Sequence, residues 1–174
     1  MIVLNGGSSS GTSTLARALQ EALPRPWLTF GVDTFVDGLP PALTAAPDGL
    51  VLAPGGEVTT GPVFRTLEAG WRHGIAAMAR AGTGVILDEV FLGGHESQAR
   101  WRAALHGLSV LWVGVHCAPE IATARERARG DRVAGMAAAQ AALVHRGVGY
   151  DVEVDTGRRT PADCARRIAA HVVA

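Results

Sequence analysis

The residues with the most chemical content form one run, Gly6-Gly7-Ser8-Ser9-Ser10-Gly11-Thr12-Ser13-Thr14. Glycines let a backbone wrap an anion without Cβ clashes. Loop N–H groups and a following helix N-terminus then point their positive ends at it. From Gly6 to Ser13 the run follows the pattern G-x-x-x-x-G-K-[ST], and Ser13 holds the position whose hydroxyl binds Mg2+. One residue departs: Thr12 stands where the pattern has lysine. No other lysine can replace it, because all 16 basic residues are arginine. That also excludes Schiff-base chemistry. A loop lysine neutralises the terminal phosphates during transfer. By analogy with deleting a transition-state donor, its loss costs on the order of 10²–10³ in rate. Main-chain amides and Mg2+ remain, so nucleotide binding survives the change better than turnover does. The plain alternative is an ordinary Gly/Ser-rich turn, against which stand the apolar run before the loop and the helical pattern after it.

Carboxylates close two other apolar runs. Asp88 follows Val85-Ile86-Leu87, the pattern of an acid that holds Mg2+ or its waters beside a phosphate loop. Asp33 follows Phe30-Gly31-Val32 and is placed to accept a proton from an attacking hydroxyl. Each has a structural alternative as a helix cap. Glu89 either faces the acceptor or caps. Arg125, Arg127, Arg129 and Arg132 cluster around Gly130. Arg129 and Arg132 flank a turn, residues 129–136, that reads as a lid over phosphates and a source of catalytic cations. The alternative is a solvated helix end, where cations are favoured anyway. Arg17 falls one turn beyond Ser13, too far down its helix to reach phosphates easily. Phe35, Leu39, Leu43, Phe91 and Leu92 line an apolar acceptor pocket or pack in the core. Asp33, Phe35, Glu89 and Phe91 are thus the candidate substrate-binding residues.

These groups need a scaffold that brings strand ends together. Apolar strand-like runs at residues 1–5, 27–32, 84–88, 110–115 and 152–154 alternate with helical patterns at 15–23, 64–81, 96–105, 119–128, 134–145 and from 161 onward. Such alternation implies about five parallel strands joined by right-handed crossovers, an α/β fold with ligands at the carboxyl ends of the strands. Thr160-Pro161-Ala162-Asp163 carries the signature of a helix start, and Gly82 that of a helix end. Between Phe35 and Pro62 the periodicity fails, and repeated Pro and Gly predict helical pieces, a small hairpin or a flap.

The remaining composition narrows the function. The 174 residues fit one domain, 48 % of them are hydrophobic, and the formal net charge is zero. A neutral balance provides no general pull toward nucleic acid or an anionic membrane. No apolar run is long enough to span a bilayer, and two scattered cysteines, Cys117 and Cys164, read as buried thiols rather than a disulfide framework. The expectation is a soluble cytoplasmic protein that takes small molecules. A homo-oligomer stays open. The six histidines form no i,i+4 ligand pair, and Trp71, Trp101 and Trp112 sit at apolar phase.

Several runs are long and uncommon: Ile2 to Ser13 apart from Thr12, Phe30-Gly31-Val32-Asp33, Val90-Phe91-Leu92-Gly93-Gly94, Leu111-Trp112-Val113-Gly114-Val115, Arg129-Gly130-Asp131-Arg132-Val133-Ala134-Gly135-Met136 and Tyr150-Asp151-Val152-Glu153-Val154-Asp155-Thr156. In these the chain resembles the chloramphenicol phosphotransferases over nearly its whole length. The resemblance implies a P-loop kinase fold like shikimate and adenylate kinases. It implies ATP and Mg2+, and phosphorylation of a hydroxyl of an antibiotic-like acceptor as a resistance reaction. It also implies Asp33 as general base, Gly6 to Ser13 as phosphate loop and the Arg129–Arg132 turn as lid. The second reading, motivated by Thr12, is a kinase-like protein that binds nucleotide or drug with impaired turnover.

Overall fold

Ile2, Val3 and Leu4 are each 0 % exposed, a run with no polar side chain to solvate, and they form the central strand β1 (Ile2–Asn5). The structure is a computed structural model, and it describes residues 1–130, 133–141 and 143–172. After β1 come α1 (Thr12–Ala22), β2 (Leu28–Gly31), α2 (Val32–Asp37), a 3-10 turn (Pro41–Leu43), β3 (Leu50–Leu52), β4 (Val58–Thr60), α3 (Pro62–Arg80) and β5 (Val85–Glu89). Then follow α4 (His95–Ala104), β6 (Leu111–His116), α5 (Pro119–Arg129), α6 (Met136–Ala141), β7 (Val152–Asp155) and α7 (Pro161–Ala169).

Five strands make one sheet in the order β2-β5-β1-β6-β7, with every neighbouring pair parallel. Alternation along β1 feeds two cores. Ile2 and Leu4 pack with Leu15 and Leu19 of α1 and Cys164 and Ile168 of α7. Val3 packs on the opposite face with Ile75 of α3, Trp101 of α4 and Trp112 of β6. A sheet buried on both faces needs such continuous apolar strands. The chain leaves β1 toward one edge, returns through β5, and crosses to the other edge at β6. The carboxyl end of β1 is therefore the switch point where α/β sheets bind ligands.

The expected fold class is found, with local differences. β2 ends at Gly31, and Val32 already starts α2, so Asp33 sits in a first helical turn rather than at a strand end. The irregular segment holds both the helical pieces and the hairpin, β3 against β4. Of the helix expected over 134–145, the described residues form α6, Met136–Ala141; residues 143–147 form turns, with Arg146 N–H bonding Leu143 O. Thr160 caps α7 by accepting the Asp163 N–H at 3.1 Å, as its sequence signature indicated. Cys164 is buried, whereas Cys117 is only partly so. Among the described residues no helix is long and apolar enough to cross a membrane.

Candidate active site

The loop from Gly6 to Gly11 joins β1 to α1. Gly11 precedes the helix at φ 92°, a left-handed conformation that a side chain would strain. The first amides of α1 have no intrahelical partner, so they face whatever lies beyond the loop. The hydroxyls of Ser8, Ser9 and Ser10 are buried without a hydrogen-bond partner. Orphaned donors at a helix start suit the oxygens of a polyphosphate. Thr12 does not replace the absent ammonium. It is 8 % exposed, and its Cγ2 lies 2.8 Å from where a Cβ on Gly6 would stand. Its methyl is thus turned back onto the loop.

Ser13 Oγ donates to Asp88 Oδ2 at 2.7 Å. The two candidate Mg2+ ligands thus meet, although one comes from α1 and the other from β5. A hydroxyl and a carboxylate oxygen are hard donors of the kind Mg2+ takes when waters and phosphates complete its shell. The sheet register pairs Gly31 with Asp88, which brings Asp33, two residues further on, to the same rim. Ser13, Asp33, Asp88 and Glu89 all line one cavity of about 590 Å³. Glu89 is buried at its wall. Burial, then the carboxylates of Glu68 and Asp88, push its carboxyl up to about 8. At neutral pH it is a protonated acid rather than a second anion beside Asp88.

The far wall of the cavity is apolar: Val36, Leu50, Leu52, Val58, Phe64 and Leu92. Two candidate acceptor residues are corrected here. Phe91 is 1 % exposed and packs against Trp112 in the core. Phe35 packs its ring on Phe64 and Trp71, at 5.2 and 5.9 Å, under the cavity wall rather than in it. Their neighbours Leu92 and Val36 take the lining positions. Leu39 likewise belongs to the core. Arg17 lines the cavity together with Arg65, Arg72 and Arg100. One helical turn keeps Arg17 on the face of Ser13.

The loop is braced from behind. Thr156 Oγ1 donates to Ser10 O at 2.5 Å, and Arg125 reaches Ser10 O at 3.4 Å and Thr156 O at 2.8 Å. Arg125 therefore holds the loop's shape, a role its cluster with Arg127 and Arg129 did not reveal. Arg129 ends α5 and does not contribute to the cavity wall. Arg132 lies outside the described residues.

Glu126, 4 % exposed, accepts the Gly135 and Ala137 N–H groups at 2.9 and 2.7 Å and so fastens α6 to α5. The hairpin tip lies directly on α6: a Cβ on Gly56 would stand 2.4 Å from the Met136 nitrogen. Gln140 Oε1 accepts the Ser8 N–H at 2.7 Å. One six-residue helix thus touches the phosphate loop, α5 and the acceptor-side hairpin. No motif flagged Glu126 or Gln140. Their signal is only that each is a polar residue at a buried helical position.

Asn5 fixes the start of the loop. It donates to Val144 O at 2.7 Å and to the Tyr150 hydroxyl, and its Oδ1 accepts the Phe91 N–H at 2.8 Å. Tyr150 OH is 2.6 Å from His145 Nδ1. Burial, then the neighbouring His116 ring at 4.1 Å, pulls His145 down to about 4.

A parallel sheet with a glycine-serine loop at its switch point, and a hydroxyl and carboxylate meeting beside it, defines the P-loop kinase class of fold. The model of the family described as "Chloramphenicol phosphotransferase-like protein" matches residues 1–173. A protein of Mycobacterium tuberculosis strain H37Rv, provisionally named an O-phosphotransferase, is 33 % identical over 180 residues, covering 97 % of this chain and 80 % of the relative. The chain belongs to the chloramphenicol phosphotransferase-like family and is a phosphotransferase. Solved structures agree on the fold. A sugar kinase from Janibacter sp. HTCC2649 superposes with a TM-score of 0.72 at 19 % identity, covering 97 % of this chain and 91 % of that one. Shikimate kinase from Aquifex aeolicus gives 0.60 at 16 % identity, covering 98 % and 94 %.

Proposed function

We propose that the protein transfers the terminal phosphoryl group of ATP to a hydroxyl of a small antibiotic-like molecule, chloramphenicol being the first candidate, and that the modification confers resistance. The Ser13–Asp88 contact inside a cavity shared with Asp33 is the observation that carries this reading. The loop amides and serine hydroxyls hold the phosphates. Ser13 and Asp88 would hold Mg2+, which, when bound, offsets phosphate charge. Asp33 takes the proton from the acceptor hydroxyl as its oxygen forms the new bond to the γ-phosphorus and the bond to the β-bridging oxygen breaks. The apolar wall from Val36 to Phe64 holds the acceptor's hydrocarbon part. Protonated Glu89 keeps a further negative charge away from the reacting phosphate. Arg129, at the end of α5, is the candidate for a further positive charge on the phosphates.

Mass spectrometry after incubation with Mg·ATP and a panel of hydroxylated antibiotics tests the reading. A singly phosphorylated product, with raised tolerance in a sensitive host, is expected. Absence of product from every acceptor contradicts it. Thr12 favours a second reading, a nucleotide- or drug-binding protein without turnover. Tight binding by calorimetry with no product selects that reading, and measurable turnover excludes it.

A further inference from the structure

Gln140 is 4 % exposed, and a buried amide must satisfy both of its ends. Its carbonyl end is accounted for, because Oε1 accepts the Ser8 N–H at 2.7 Å. A backbone N–H can only donate, so this contact fixes which arm of the amide is oxygen. The NH2 arm is then the end that Ser8 does not engage. Gln140 lines the large cavity together with Ser8, Ser13, Asp33 and Asp88. Its position is rigid: a Cβ on Gly7 would stand 3.4 Å from the Gln140 Cβ, and α6 is held on α5 through Glu126. A fixed pair of N–H donors therefore borders the loop in a protein whose loop lacks its ammonium and whose Thr12 is folded away.

We propose that Gln140 is a phosphate-binding residue that presents its amide NH2 to the terminal phosphate of the nucleotide, in part replacing the missing loop cation. A neutral donor stabilises charge less than an ammonium does, yet a preorganised one costs no reorganisation when charge develops. The inference rests on the nucleotide reading above and goes beyond it by naming the group that meets the γ-phosphate.

The test is calorimetry on the full chain with Mg·AMPPNP and with Mg·ADP. Gln140→Glu keeps an oxygen for the Ser8 N–H and replaces the NH2 by a second carboxyl oxygen. Gln140→Leu removes both arms. Both variants are expected to weaken AMPPNP binding by about tenfold or more, the scale of a hydrogen bond to a charged group, while ADP affinity and the melting temperature of Gln140→Glu stay near wild type. In a Thr12→Lys background the AMPPNP penalty should shrink, because the ammonium takes over the same phosphate. Equal loss of both nucleotides, or unchanged AMPPNP affinity, overturns the inference while leaving the nucleotide reading intact. A wild-type protein that binds neither nucleotide overturns both.

Discussion

Ser13 and Asp88, 75 residues apart in the chain, share a hydrogen bond of 2.7 Å in the wall of one cavity. The bond shows that α1 and β5 deliver their oxygens to one point before any cation is added. Ser13→Ala and Asp88→Asn should each lower kcat/KM by on the order of 10²-fold. They should also move the Mg2+ concentration needed for half-maximal rate upward. Initial rates across a Mg2+ titration check both.

Asp33 lies in the first turn of α2 and lines the same cavity. In the proposed role of general base it would act on the acceptor and not on the nucleotide. Asp33→Asn should lower kcat by about 10²–10⁴-fold and leave nucleotide affinity unchanged. Steady-state kinetics paired with calorimetry separate the two quantities.

Thr12 is the chain's one departure from the loop pattern. Thr12→Lys should raise kcat by on the order of 10²–10³-fold, provided the new side chain leaves the pocket against Gly6 and turns outward. Turnover of the two proteins under identical Mg·ATP checks it. An unchanged rate would mean that the existing donors already do the lysine's work.

Much of this was legible in the sequence, and the reasons differ by residue. The placement of Gly6 to Ser13 between strand and helix, and of Asp33 and Asp88 at one cavity, was legible because each depends on local context, a turn after a strand or an acid after an apolar run. Phe35 and Phe91 were misassigned because an aromatic ring carries no mark of which side of a wall it takes; that depends on Trp71 and Trp112, which approach from other elements. Arg125, Glu126 and Gln140 stayed hidden because their partners, Thr156, Gly135 and Ser8, are non-local or backbone groups.

Glu126 is buried and accepts two backbone N–H groups at the entrance to α6. Glu126→Ala leaves both donors without an acceptor and should cost about 2–4 kcal/mol. Thermal or urea unfolding measures this directly, and a neutral result would show that water replaces the carboxylate.

His145 gives stability a pH dependence of known sign. Its folded value is about 4, against 6.5 for the free side chain. Between those values the unfolded chain binds the proton and the folded one does not, so stability rises with pH across that window. The contribution is complete above 6.5 and is lost as pH falls toward 4. His145→Gln should flatten this part of the profile, as read from urea midpoints taken at successive pH values.

Crystals grown with Mg2+ and AMPPNP test the central claim most directly. The account predicts the β- and γ-phosphates lying on the amides of residues 9–14, with the cation between Ser13 and Asp88 and Asp33 facing the γ-phosphorus across the cavity. A nucleotide bound elsewhere, or a loop that stays closed to it at saturating concentration, would contradict the account.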